Sequence, residues 1–223
     1  MRISPDHLIF WQWQWMSLNA TIVYTWLVMA ILAIGSWWIT RQLSVDPKMP
    51  RWQNVLEIIV ENINHQIREA SQQEPERFLP FIGTLFLFIA VSNLLTVFPV
   101  YESPAGSLST TVALALCVFV AVPLYGIQQQ GVLGYLKHYI QPMPVMLPFQ
   151  IISEISRTVS LAIRLFGNVM STGLLVAILL SIVPLFFPAV MQLFGVLVGI
   201  IQAYVFAILS IVYIASGMRE QKK

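Results

Sequence analysis

Apolar residues fall in five long runs along the chain, with one weaker, periodic stretch between the first two. The run at 16–38 is long enough to cross a hydrocarbon core of roughly 30 Å, which takes about 20 helical residues. Trp11, Trp13 and Trp15 precede it and Trp37 and Trp38 follow it, as interfacial anchors do. Over 53–71 the pattern turns amphipathic: Val55, Ile59, Ile63 and Ile67 recur at every fourth position, while Glu57, Glu61, Asn64, His65 and Arg68 take the other faces. That helix is expected to lie on the membrane and not through it. Further spans are predicted over 78–98, closed by Pro99 and the polar loop YESPAGS, and over 108–127, with a bend at Pro123 where a backbone hydrogen bond is lost. The stretch QQQGVLGYLKHYIQPMPVMLP reads as a loop. Beyond it, 149–183 and 189–216 keep a helical pattern longer than an upright span needs. At 1.5 Å per residue the first of these extends on the order of 50 Å, so the pair is expected to form an oblique hairpin. The predicted fold class is an all-α polytopic membrane protein with five transmembrane helices and one amphipathic surface helix, in a single membrane domain over 1–223.

Composition strengthens this reading. Of 223 residues 57% are hydrophobic and 10% charged, and a mean hydropathy of +0.76 is far above that of soluble domains. Cys117 is the single cysteine and sits in an apolar run, so no internal disulfide is available. The first twenty residues lack a short apolar core followed by a small-residue cleavage site, so no removable signal peptide is expected. The net charge of +2 matters less than its distribution. With the amino terminus outside, Arg41, Lys48, Arg51, Arg68, Arg77, Lys137, Arg219, Lys222 and Lys223 fall on the cytoplasmic side, against Arg2 alone outside. The carboxyl terminus is then cytoplasmic. No internal repeat is visible.

Two arginines interrupt the first long helical run. Arg157 and Arg164 are seven residues apart and share a face. Each costs about 2.5–3.5 kcal/mol at a helix centre on insertion scales, so each requires a partner or water. Glu154 stands one turn before Arg157 and can pair with it. Nothing local neutralises Arg164; Asn168, one turn on, offers a hydrogen bond but no charge. A guanidinium does not deprotonate in proteins, so Arg164 cannot carry a proton and its use must be electrostatic. It favours the ionised form of a carboxylate brought beside it and repels a passing cation. For unit charges about 4 Å apart at an effective dielectric near 20 the attraction is roughly 4 kcal/mol, against about 2.3 kcal/mol for one charge moved through 100 mV. A dry, permanent pair would stall transport, so the contact must be brief or hydrated. Apart from Glu154, every Asp and Glu falls outside the predicted spans, so the partner carboxylate is expected on another subunit.

These residues carry a resemblance. SRTVSLAIRLFGNVMS, followed some forty positions later by IIQAYVFAILSIVYI, is similar to the most diagnostic region of the membrane-embedded a subunit of F-type ATP synthases, with support from PFIGTLFLFIAVSNLL and GYLKHYIQPMP. The resemblance implies the stator half of a rotary motor. It would form two offset ion half-channels against a rotor ring of c subunits bearing an essential carboxylate, with b-type peripheral stalk subunits and membrane lipid as further partners. Arg164 matches the arginine that faces the ring carboxylate and blocks short-circuiting, and Asn168 and Gln202 match polar residues of the same ion-translocating region. The implied location is a bacterial-type energy-transducing membrane. The chain itself would be non-catalytic, with no resident cofactor or metal, the translocated ion being H+ or Na+.

The sequence also departs from the family pattern. A glutamate and a histidine used by many members in the outer half-channel fall at Gly173 and Gly195, and an acidic position in the span before the external loop becomes Thr96. On the cytoplasmic side the usual glutamate becomes Gln150, with Glu154 one turn later, so Gln150, Glu154 and Arg157 are the candidate cytoplasmic half-channel. Glu102 with Ser107 and Ser109 is the candidate outer access. Proton relays use titratable groups, whereas sodium passes through water and oxygen ligands, so the losses keep sodium in play beside the proton. Gly195 and Gly199 form a small-xxx-small pair suited to close helix packing.

Two other classes compete. A self-contained ion channel or secondary transporter would need its own midplane site, and beyond the arginines, Asn168 and Gln202 the spans supply little. A haem- or quinone-binding anchor would need paired histidines in facing spans, but His7, His65 and His138 all lie outside them. There is no phosphate loop, nucleophile with a base, or metal-ligand cluster, so neither nucleotide nor nucleic acid is expected to bind.

Overall fold

In the computed structural model, residues 9–13, 16–41, 51–71, 77–98, 101–140, 146–183 and 187–218 are described. Trp15, Pro99 and the charged positions Arg2, Lys48, Arg219, Lys222 and Lys223 lie outside them. The chain begins with a short antiparallel hairpin, β1 (Ile9–Trp13) and β2 (Met16–Asn19), with Trp11 opposite Leu18 and Trp13 opposite Met16. Residues 16–19, assigned by the sequence to the first span, are therefore strand. The alternation Trp-Gln-Trp-Gln-Trp has the period of two that favours extended backbone.

Helix α1 (Ala20–Thr40) follows, and Arg41 closes it with its guanidinium 5.1 Å from the centre of the Trp37 ring. The amphipathic α2 (Arg51–Ser71) comes next. Its Ile59 and Ile63 are half-buried, Ile63 against the core cluster, and Glu57, Glu61, His65, Arg68 and Glu69 are exposed. The side chains of Val55 and Ile67 lie outside the described residues. Helix α3 (Leu79–Leu94) carries Pro80 in its first turn, where no backbone donor is lost, and tightens at its end into a 3-10 turn, Leu95–Val97.

The segment after α3 folds inward. Ser103, Pro104, Ala105, Gly106 and Ser107 are all buried, and Pro104–Gly106 form a 3-10 turn capped by the Ser103 hydroxyl. Ser92 of α3 bonds Ser103 at 3.0 Å, which ties this segment to the bundle. Helix α4 (Leu108–Ile140) runs through Pro123 and on past the predicted end of its span. Its one non-helical residue is Gly131, with φ 73°, a backbone region that glycine enters without steric cost. Residues 128–140, expected as loop, are thus helical on either side of that break.

The last two helices are α5 (Met146–Ile182), of 37 residues, and α6 (Phe187–Met218), of 32. Five helices, α1, α3, α4, α5 and α6, are long and apolar enough among the described residues to cross a membrane, and α2 is not one of them. The protein is an all-α polytopic membrane protein with a short amino-terminal hairpin. Its core is shared by α3, α4, α5 and α6: Leu85, Ile89, Val118, Leu161, Leu165 and Phe206 meet in one cluster, and Phe78, Ile82, Val122, Ile211 and Ile214 in a second. Helix α1 stays peripheral, exposing Trp26, Trp37 and Trp38.

Candidate functional site

Helix α5 has two different sides. Leu161, Ala162 and Leu165 are buried in the bundle. Ser153, Arg157, Ser160, Arg164, Gly167 and Ser171, spaced alternately four and three apart, are all exposed. Such spacing places them on one stripe of the helix. Arg164 thus points out of the subunit, flanked by the small residues Ser160 and Gly167 one turn away on either side. Among the described residues its guanidinium has neither a hydrogen bond nor an ion pair, and no bond joins it to the Asn168 side chain.

Asn168 is half-buried and lines a cavity of about 240 Å³ between α3, the 101–106 segment, α5 and α6. A water needs about 10–15 Å³ of such space, so that volume holds several molecules. Glu102 lines it as well, so one continuous space brings two predicted residues together. Ser107 and Ser109 do not line it; they bond each other at 2.7 Å at the start of α4. Thr96, Gly173 and Gly195, the positions where the sequence departs from the family pattern, are all in its walls. A side chain at Gly173 would meet nothing within 4 Å, whereas a Cβ at Gly195 would collide with Thr172 Cγ2.

Val169, Met170, Leu174, Val176 and Ala177 of α5 make an apolar side of the cavity, and several polar wall residues are ones that sequence reasoning missed. Gln192 of α6 donates from Nε2 to the Thr96 carbonyl, and Asn93 donates from Nδ2 to the Gly199 carbonyl at 3.2 Å. Thr172 lies against Gly195, its hydroxyl bonded to the Asn168 carbonyl at 3.0 Å. Tyr101, also in the wall, packs edge-on to Tyr24 of α1 at 5.0 Å. Burial pushes its phenol up to about 12, partly opposed by its hydrogen bond with Ser92, so it stays protonated across the physiological range. A signal for Gln192 was present: with Gly195, Gly199 and Gln202 it repeats at intervals of three, four and three, one face of a helix.

Gln202 is 8% exposed, and its Nε2 has no hydrogen-bond partner among the described residues. Toward the other end of α5, Gln150 is half-buried with Oε1 similarly unpartnered. Arg157 turns toward α6, with Nη1 3.5 Å from Ser216 Oγ and the guanidinium 5.5 Å from the centre of the Tyr213 ring. Glu154, Arg157, Tyr213 and Ser216 line a second cavity of about 20 Å³, enough for a single water. Glu154 and Arg157 thus share a wall, while Gln150 stands outside it.

The arrangement comprises an unneutralised cation on an exposed helix stripe, a roomy cavity of mixed polar and apolar lining beginning one turn away, and a smaller mixed pocket nearer the opposite helix end. It has no nucleophile-and-base pair and, among the described residues, no group of three metal-ligating side chains. It suits the movement of a small ion. Comparison with known proteins agrees. Residues 22–215 match the family described as ATP synthase A chain. Over 223 residues the chain is 74% identical to "ATP synthase subunit a 1" of Crocosphaera subtropica, covering all of this chain and 97% of that protein. It is 62% identical to "ATP synthase subunit a 2" of Picosynechococcus, covering all of this chain and 96% of that one. It is 58% identical over 222 residues to "ATP synthase subunit a" of Albidiferax ferrireducens, covering 100% of this chain and 96% of that relative. With most of its length matched and its five apolar helices in place, this chain belongs to the ATP synthase A chain family, the non-catalytic multi-pass membrane subunits of the rotary enzyme.

Proposed function

We propose that this chain forms the two ion half-channels of the membrane sector and couples ion flow to ATP synthesis or hydrolysis on other subunits. The observation that carries the reading is Arg164: exposed, unpartnered among the described residues and set in a stripe of small side chains. A buried or lipid-facing arginine without a counter-charge is costly, so its partner belongs to a neighbouring subunit. A rotor ring of c subunits carrying a carboxylate fits that demand, and the flanking Ser160, Gly167 and Ser171 leave room for a ring helix to pass close by.

The 240 Å³ cavity is read as the outer half-channel, with Glu102 at its mouth and Asn168 next to the ring face. Gln150, Glu154 and Arg157 mark the cytoplasmic half-channel. Arg164 between them favours the ionised ring carboxylate and repels a cation taking a direct route. This reading places the amino terminus outside and the carboxyl terminus in the cytoplasm, with b-type stalk subunits holding the stator. No resident cofactor takes part. Beside an apolar wall from α5, one carboxylate and several neutral oxygens and amides give a polar side along which either a proton carried by water or a sodium ion could pass.

ATP-driven ion uptake by inverted vesicles carrying the whole complex tests this, comparing wild type with Arg164→Ala, with and without added sodium. Loss of uptake in a complex that still assembles supports the electrostatic separator, and the wild-type response to sodium then identifies the ion. Near wild-type uptake in Arg164→Ala would return the arginine to a structural role.

A further inference from the structure

One residue in the cavity wall, Gln192, is not explained by the proposed role. Going inward from Glu102, the first group of α6 in the wall is Gln192, and Gly199 lies seven residues deeper, about 10 Å along the axis at 1.5 Å per residue. Between them Gly195 and Gly199 contribute no side chain, and Thr172 and Asn93 occupy the space over the two glycines. Of the three α6 residues in the wall Gln192 alone has a side chain, and it donates to the carbonyl of Thr96, another wall residue, in the 3-10 turn that ends α3. That carbonyl belongs to a helix terminus, where backbone oxygens lack intrahelical partners and accept equally well from a side chain, water or cation.

Resting on the half-channel reading, we infer that Gln192 is the specificity-determining residue of the outer half-channel, its carboxamide latching across the route between Glu102 and Asn168. The Thr172, Asn93 and Asn168 side chains at this level and below it are neutral, so whatever crosses does so in water or on amide and carbonyl oxygens. The carboxamide offers both a donor and an acceptor. While Nε2 holds the Thr96 oxygen, the passage is bridged. When a water or cation takes that oxygen in its place, the bridge opens without leaving a bare buried carbonyl, so the exchange is close to even. A side chain of the same length but different chemistry at 192 must therefore change what passes, and not only how well the helices pack.

Inverted vesicles carrying the whole complex provide the test, with assembly checked by co-purification. Gln192→Leu should lower ATP-driven uptake at least tenfold, and Gln192→Glu should retain uptake but add to its pH profile an ionisation step that wild type lacks. A profile for Gln192→Glu that superimposes on wild type, or wild-type uptake in Gln192→Leu, overturns the assignment. Against a misfolded variant, Gln192→Cys in a Cys117→Ser background gives an independent readout. A cationic methanethiosulfonate admitted to the outer face should label it and block uptake, and failure to label overturns the proposal. Arg164→Ala in the same vesicles separates the two levels. Uptake surviving there overturns the half-channel reading and this inference with it, whereas uptake lost there but normal in Gln192→Leu overturns only the role of Gln192.

Discussion

Asn93 and Gly199 fasten α3 to α6 with no space to spare: Asn93 Nδ2 donates to the Gly199 carbonyl at 3.2 Å, and a Cβ on Gly199 would lie 2.7 Å from the Asn93 Cβ. Both Asn93 and Gly199 are buried. Gly199→Ala should therefore push Asn93 aside, break its hydrogen bond and cost about 1–3 kcal/mol, the range for overpacked sites. Thermal unfolding of the detergent-solubilised complex measures this. Gly83→Ala on α3, where nothing lies within 4 Å of the added carbon, serves as the control and should be neutral or slightly stabilising.

A similar clash at Gly195 has an identifiable relief. The obstructing atom is the Thr172 methyl, which a Cβ at Gly195 would overlap, while the next Thr172 atom would be 3.5 Å away. Gly195→Ala alone should reduce assembled complex and uptake, and Gly195→Ala with Thr172→Ser should restore both, because serine keeps the hydroxyl bonded to Asn168 and loses the methyl. Gly173→Ala should be tolerated without compensation, its surroundings being open. Uptake assays on these variants separate the outcomes.

Arg157 holds α5 to α6 through the Tyr213 ring and the Ser216 hydroxyl. Since it is exposed within the subunit, its loss should be mild, about 0.5–1 kcal/mol as for exposed cation–π contacts. Arg157→Lys should keep most of the ring contact and Arg157→Gln should lose it. The ordering of the two variants in thermal stability, with uptake measured alongside, shows whether the residue acts chiefly as a tether.

Tyr101 makes stability depend on alkaline pH in a definite direction. Its phenol is raised to about 12, from 10.0, chiefly by burial, so the folded chain keeps a proton that the unfolded chain releases near pH 10. The contribution is complete below pH 10 and disappears as pH rises toward 12. Tyr101→Phe should flatten this part of the pH–stability curve, and ultraviolet titration of the complex should show one late-ionising tyrosine fewer.

Much of the fold was legible because lipid demands long apolar helices, and the runs at 78–98, 149–183 and 189–216 could hardly be anything else. Arg164 was legible for the same reason, as a charge where charge is costly. The amino-terminal hairpin was not, since three tryptophans beside a span suggest anchoring before their period of two suggests a strand. Nor was the helix beyond Gln128, where polar residues and Gly131 break the apolar signal. The cavity was the least accessible to sequence reasoning. Glu102, Asn168 and Gln192 meet only because the segment after α3 turns back into the bundle, and the buried bond between Ser92 and Ser103 that fixes this turn leaves no mark on hydropathy.

The imbalance between the last two helices bears on how the complex is made. In the most apolar stretch of α5 only 6% of residues are buried within the subunit, against 44% for α6, so its own chain covers α5 far less than α6. Until a neighbour arrives, a newly inserted copy holds Arg164 toward lipid on an uncovered helix, where an unpaired charge is costly. Synthesis of this subunit without its neighbours should therefore yield a short-lived protein, so that an uncovered Arg164 would act as a timer on unassembled copies.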